Sequence, residues 1–416
     1  MPTSSADHTE PAAVASPQPT PALRGRRQFM GAMFLMATSA IGPGFITQTT
    51  LFTDQLMAAF AFAILASVVV DIVIQLNVWR VVGVSGRRAQ DLANSVVPGA
   101  GYLLAFLDVL GGLIFNIGNI AGTSLGLNAI FGLDVRVGGA ISALVAIGIF
   151  LVRQAGVAMD RVVILLGFVM IGLTTWVAIT TSPPVGDALL QSVAPETVDL
   201  LVITTLIGGT VGGYIVYAGA HRLVDNGVKG ERYVRQITRS SIIGVAITAV
   251  MRVLLFLAIL GVVAGGAKLD ALNPPASAFQ IALGDTGKIV FGVIMWSAAI
   301  TSVIGASYTS TSFLKVLGSW VGRWERWVVC GFIVVSATIF LILGTTPVNL
   351  LVFAGAFNAL ILPVGLGFLL WVAARRQDLL GGYKYPRWLI VAGALAWALT
   401  VYLGYSVIDL SLETLF

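Results

Sequence analysis

Apolar runs of eighteen or more residues recur along this chain from about residue 28 onward. Each run is long enough to cross a ~30 Å hydrocarbon core as a helix. Only 10% of the residues are charged, against about 25% in a soluble domain. Glycine is abundant at 47 residues, as expected where transmembrane helices pack closely or break. The chain therefore reads as an all-α, multi-pass membrane protein.

The pattern predicts eleven transmembrane helices, at roughly 28–52, 56–80, 100–131, 138–153, 162–181, 199–221, 240–265, 287–314, 328–344, 347–374 and 387–409. Lys and Arg fix the orientation, because cytoplasmic loops carry the excess. With the N-terminus inside, segments 24–27, 80–88, 153–161, 222–239, 315–326 and 375–387 carry twenty basic residues. The alternating outer segments carry only Arg136, Lys268 and Lys288. A missed or invented helix would scramble that alternation. Residues 1–23, rich in Pro, Ala, Ser and Thr, read as a disordered cytoplasmic tail rather than a signal peptide. The expected organisation is a tail over 1–27, a first five-helix repeat over 28–181, a second over 199–374, and an eleventh helix with the C-terminal tail over 387–416.

Several function classes drop out. The net charge of +5 does not point to nucleic acid, because the basic residues are confined to loops on one side. Cys330 is the single cysteine, and His8 and His221 are the only histidines, so no Cys or His metal cluster can be built. No GxxxxGK[ST] loop is present, so ATP does not drive this chain directly. No nucleophile–base pair lies at membrane depth, which disfavours an intramembrane enzyme; a receptor is the remaining non-carrier reading.

A carrier needs backbone polar groups at mid-membrane, and these are tolerated only around a cavity. The best pointer is a pair of Gly/Pro-broken helices at matching repeat positions. The first helix contains Ile41, Gly42, Pro43, Gly44 and Phe45; the sixth contains Gly208, Gly209, Thr210, Val211, Gly212, Gly213 and Tyr214. First and sixth is the spacing of a five-plus-five inverted repeat. The bland alternative is that these glycines only allow close packing. The polar run Thr47, Gln48, Thr49 and Thr50 is costly in lipid and is expected to face the cavity. For the hydroxyl-rich stretch Ser307–Ser312, two readings stand: cavity lining, or bonding to carbonyls one turn back.

After residue 28 the chain resembles the Nramp family of divalent-metal transporters. The third helix carries the resemblance most strongly: Gly122-Thr123-Ser124-Leu125-Gly126-Leu127-Asn128-Ala129-Ile130-Phe131-Gly132-Leu133 is similar to the family's Gly-Thr-Ala-Leu-Ala-Leu-Asn-x-x-Phe-Gly-Leu. Gln75 and the turn Gly83-Val84-Ser85-Gly86 match the end of the second helix. The resemblance implies a LeuT-type fold and secondary transport by alternating access. The family's metal-binding motifs are not present. Its Asp-Pro-Gly-Asn falls on Gly42-Pro43-Gly44-Phe45, and its Met-Pro-His, which follows Gly-x-Thr-Val, falls on Gly212-Gly213-Tyr214. Its acidic pair, associated with proton movement, falls on Asn116 and Asn119. Its charged ninth helix has no counterpart in 328–344.

A mostly dehydrated divalent cation needs carboxylate or several oxygen ligands, or soft sulfur. The expected site offers Thr47, Gln48, Tyr214, Tyr217 and backbone groups of Gly42, Pro43, Gly44, Phe45, Gly209, Gly212 and Gly213. Half-helix N-termini favour anionic groups. The residues favour a small organic acid or modified amino acid, with 5-oxoproline a candidate taken from Nramp-related relatives. The alternative is a divalent cation, Mn2+ or hydrated Mg2+. No cofactor is expected beyond a coupling H+ or Na+. The expected partners are the lipid bilayer, here the bacterial inner membrane, and the small-molecule or ion substrate.

Coupling candidates are Asp71, Asn116, Asn119, Thr309 and Ser310. In LeuT-type carriers a sodium ion sits between the broken first helix and eighth-helix hydroxyls, which favours Thr309 and Ser310; a proton on Asp71 is the competitor. Three further points stay open. Asp54 reads as interfacial or functional, and Asp108 and Arg252 as a possible structural pair. His221 reads as an interfacial residue or a proton carrier.

Overall fold

The computed structural model describes the backbone of residues 21–343 and 346–415, and the side chains from 29 to 406 except 34, 38, 153–164, 344 and 345. The first helix is split into α1 (Pro21–Ala40) and α2 (Pro43–Leu56). Then come α3 (Phe60–Ser85), the short α4 (Ala89–Val96), α5 (Ala100–Phe131), α6 (Val135–Leu151) and α7 (Arg153–Thr181). The short α8 (Val185–Val193) leads to a second split helix, α9 (Leu200–Thr210) and α10 (Tyr214–Asp225). The chain ends with α11 (Val234–Ala264), α12 (Pro274–Leu314), α13 (Ser319–Arg323), α14 (Glu325–Leu343), α15 (Pro347–Arg375) and α16 (Arg387–Leu415).

Every predicted segment falls on a helix, with three corrections. Helix α1 begins at Pro21, so 21–27 belong to it and not to a tail; residues 1–20 lie outside the described residues. Helix α12 starts at Pro274 rather than 287, because Asn273 caps it by accepting from the Ala276 N–H. Gly284 (φ 69°, ψ −164°) then interrupts it, which is why the sequence around it reads as a loop. Among the described residues, eight helical segments are long and apolar enough to cross a membrane, or nine if α8 and the end of α7, which meet at 107°, form one span. Two predicted helices run together in that count through Pro43–Ser85, and α6, apolar but only 17 residues long, falls one residue short of it.

The two split helices cross in opposite directions at the centre. Helix α1 packs on α10 and α2 packs on α9. Helices α5, α12 and α15 enclose them, α5 and α12 making the most extensive pairing. Small residues allow this approach: a side chain at Gly126 would run into the backbone of Trp296, and one at Gly208 into the carbonyl of Gly355. The bundle is held by packing and interhelical contacts, as lipid supplies no hydrophobic drive between helices.

Candidate functional site

Both breaks interrupt the helical backbone in the buried interior of the bundle. At the first, Ile41 and Gly42 leave helical geometry and Pro43 starts α2, where its missing N–H and fixed φ cost nothing. At the second, Gly213 adopts φ 47° and ψ −130°, a backbone position closed to ordinary side chains. Asn358 of α15 lies against it. The Asn358 amide donates to the carbonyls of Gly111 (3.1 Å) and Ala354 (2.8 Å), which aims its Oδ1 at Gly213.

Gln48 is the polar side chain most enclosed between the breaks. It is fully buried, and its Nε2 donates to the Leu351 carbonyl at 2.9 Å. Glycines of two other helices make room for it. A Cβ at Gly209 would stand 2.6 Å from its Oε1, and a Cβ at Gly355 would stand 2.5 Å from its Nε2. Gly44 faces the same amide at ordinary contact distance. Asn119 of α5 approaches Gly42 and lies beside the Tyr214 hydroxyl, short of hydrogen-bond geometry. Tyr214 meets Phe115 edge-on.

Several buried atoms here have no protein partner: Gln48 Oε1, both amide atoms of Asn119, the Tyr214 hydroxyl, Asn358 Oδ1 and Thr47 Oγ1. An unmatched buried polar atom costs about 1–3 kcal/mol, and native structures carry few of them. These atoms make the centre between the two breaks a candidate polar site, although others like them are spread through the bundle. The donors are neutral amides and hydroxyls. Among the described residues, no three His, Cys, Asp or Glu side chains come together.

The structure thus brings together Gly42, Pro43, Gly44, Thr47, Gln48, Gly209, Gly212, Gly213, Tyr214 and Asn119. Other expected residues stand apart. Thr49 and Thr50 do not line the centre, because their hydroxyls bond to the Phe45 and Ile46 carbonyls one turn back. The eighth-helix hydroxyls divide: Ser307, Thr309 and Thr311 bond within α12, whereas Ser310 Oγ is unpartnered and packs on Gly112. Asn116 donates to Ser307 and Ser336, tying α5 to α12 and α14. Tyr217 lies one turn beyond Tyr214, edge-on to Phe313. Arg252 does not pair with Asp108. Its helix packs on α3, which carries the buried Asp71, without a direct ion pair, and its guanidinium lies over the Phe45 ring at 4.3 Å. Asp54 is exposed, as an interfacial residue would be.

The end of the bundle that carries α4 is closed by a polar clasp. Asp225 accepts from Arg88, the residue just before α4, and from the Tyr308 hydroxyl of α12 (2.8 Å), and Arg222 lies over the Tyr308 ring. His221 is buried rather than interfacial. Its Nε2 accepts from the Ala89 N–H at 3.2 Å, so Nδ1 carries the proton toward Ser312 Oγ at 3.0 Å. Two surface clefts, of about 550 and 300 Å³, lie away from the breaks, one beside Gly322–Trp327 and one in the apolar groove between α3, α8 and α11.

Sequence reasoning missed Asn358, a neutral amide in the otherwise apolar run Ala356–Pro363. Its signal was available, since an amide at that depth is expected to find a backbone partner.

Two antiparallel split helices, with their breaks facing each other inside a ring of whole helices, define the class of LeuT-fold membrane transporters. The chain belongs to the Nramp family: the model described as natural resistance-associated macrophage protein-like matches residues 33–408. A Bacillus subtilis (strain 168) protein described as uncharacterized membrane protein YcsG is 55% identical over 366 residues, which cover 88% of this chain and 90% of that one. Among solved structures, an Eremococcus coleocola manganese transporter in complex with an aromatic bis-isothiourea compound superposes with a TM-score of 0.71 at 17% identity, covering 94% of this chain and 88% of the other. MhsT in complex with L-phenylalanine superposes with a TM-score of 0.66 at 14% identity, covering 90% and 98%. The chain is a multi-pass membrane protein whose similar relatives are bacterial membrane proteins.

Proposed function

We propose that this protein is a secondary active transporter for a small organic acid or modified amino acid, such as 5-oxoproline, coupled to H+ or Na+ and working by alternating access. The observation that carries the reading is the donor set at the breaks. Gln48, Asn119, Tyr214 and Asn358 offer neutral hydrogen-bonding atoms, and no carboxylate or thioether stands at the positions where the family binds its metal. Neutral amides suit an organic solute with its own donors and acceptors; a divalent cation favours charged oxygen. Phenylalanine bound in MhsT places an amino acid in a protein of the same fold.

Eleven helices with the N-terminus inside follow from the basic-residue alternation, with five-helix repeats at 28–181 and 199–374. The clasp of Arg88, Asp225 and Tyr308 then lies on the cytoplasmic side and closes the inner path. Asp71, Asn116, Asn119, Thr309 and Ser310 are the coupling candidates.

The second reading, Mn2+ or Mg2+ transport, is favoured by family membership and by the unpartnered oxygens of Gln48 and Asn119. Uptake into proteoliposomes separates the two. The expected result is protein-dependent accumulation of labelled 5-oxoproline or a related small acid, with no Mn2+ or Mg2+ flux. Metal flux that small organic acids neither use nor inhibit overturns the proposal.

A further inference from the structure

Arg252 of α11 and Asp71 of α3 are each about 1% exposed, deep inside membrane-spanning helices. An isolated charge at that depth is costly and needs a compensating partner or a function. Their helices pack on each other, but the two side chains make no direct ion pair. The guanidinium instead lies over Phe45, the residue that follows the Gly42-Pro43-Gly44 break. Its Nε and Nη2 atoms are both buried and both without a hydrogen-bond partner. These two N–H groups form one edge of the planar fork, which matches the two oxygens of a carboxylate.

Charge counting links this edge to Asp71. With Asp71 ionised, Arg252 and Asp71 together are neutral. Adding a carboxylate anion to Arg252 leaves one uncompensated negative charge in a dry interior, unless Asp71 takes up a proton. Arg252 is the buried charged side chain of α11, the helix most extensively packed on α3. The other elements packed on α3 carry Tyr214, Tyr217, His221, Arg222 and Asp225 on α10, Asp54 on α2, Asp187 on α8, and Glu231, Arg232 and Tyr233 just before α11, which itself adds Arg235 and Arg239. Helix α9 has no titratable side chain, α15 carries Arg375 at its end, and α16 carries Arg387, Tyr402, Tyr405, Asp409 and Glu413 in its sequence.

We infer that the open edge of Arg252 binds the carboxylate of the transported acid, and that Asp71 takes up one proton as it does so, making transport an electroneutral symport of one anion and one proton. This rests on the organic-acid reading above and assigns its charge-recognising and coupling residues. No covalent bond changes. The proton moves from solvent to Asp71 with the anion and leaves with it on the far side.

The test uses the purified full chain with 5-oxoproline and its uncharged carboxamide as probes. The wild-type protein should bind the acid at least about tenfold more tightly than the amide, as a charge-assisted bidentate pair requires. Binding in weakly buffered solution should remove one proton per acid bound. Arg252→Gln should lose the preference for the acid, and Arg252→Lys should recover only part of it. Asp71→Asn should still bind the acid, without proton uptake and with affinity that no longer falls as pH rises. Failure of the wild-type chain to bind 5-oxoproline or any other small monocarboxylate overturns the organic-acid reading and this inference with it. Equal binding of acid and amide, or binding without proton uptake, overturns the inference alone. Those two measurements use the wild-type chain, so a variant that fails to fold does not blunt the test.

Discussion

Gly213→Ala should be among the most damaging single-methyl additions in this molecule, and the reason can be put in numbers. The residue sits at φ 47° and ψ −130°. Holding a side chain there costs on the order of 1–3 kcal/mol. The new Cβ would also collide with Asn358 Oδ1. To escape, Asn358 must leave the carbonyls of Gly111 and Ala354, and each lost bond costs about 0.5–1.5 kcal/mol. The expected loss is therefore about 2–6 kcal/mol. Gly44→Ala is the control. Gly44 lies in the first turn of α2, and its added Cβ would meet its nearest neighbours at 3.7 Å. Alanine there should be neutral, or stabilising by up to about 1 kcal/mol through the unfolded chain. Thermal unfolding of the purified protein in detergent compares the two. A double-mutant cycle with Asn358→Ala separates the terms, since removing the amide relieves the collision but not the backbone strain. If Gly213→Ala unfolds with the wild type, the geometry given for the second break is wrong.

Three further outcomes follow from the site and its surroundings. Gly355→Ala should weaken solute binding more than Gly209→Ala, because its Cβ meets both the Gln48 amide and the Thr205 carbonyl at 2.9 Å; equal titration curves for the two variants would count against the Gln48 cradle. Asp225→Asn should loosen the clasp with Arg88 and Tyr308. In a Cys330→Ser background, a cysteine placed at Ser312 should then react faster with a membrane-impermeant maleimide added from the cytoplasmic side; an unchanged rate refutes the clasp as a gate. Finally, a protease site inserted before residue 20 should be cut only from the cytoplasmic side in oriented vesicles, and cleavage from outside would reverse the assigned orientation.

Much of this architecture was legible because its causes are local. Apolar length marks the helices, and the Gly-Pro and Gly-Gly clusters mark both breaks, since each encodes its own backbone geometry. Gly284 escaped notice because its neighbours Asp285, Thr286 and Lys288 look like an ordinary loop. The site was harder to read where a side chain has two local options. Thr49 and Gln48 are adjacent and both polar, yet a threonine hydroxyl reaches its own helix while the longer amide reaches α15. Arg252 and Asp71 were each visible as buried charges. That they answer one another, and that Phe45 lies beneath the guanidinium, depends on how three helices meet, and no spacing along one chain encodes it.

Helix α3 carries a row of side chains that bond to neighbouring helices. Trp79 donates to the Val216 carbonyl of α10, Gln75 donates to the Ser241 carbonyl of α11, and Arg80 donates to Thr238. The Trp79 and Gln75 bonds are buried, in low-dielectric surroundings where a hydrogen bond is stronger, and the Arg80 bond is partly buried. Helix α3 thus cross-links α10, which begins at the second break, to α11, which carries Arg252. In the transport cycle proposed above, a displacement of α10 at the clasp would draw α3 and α11 along, and with them Asp71 and Arg252.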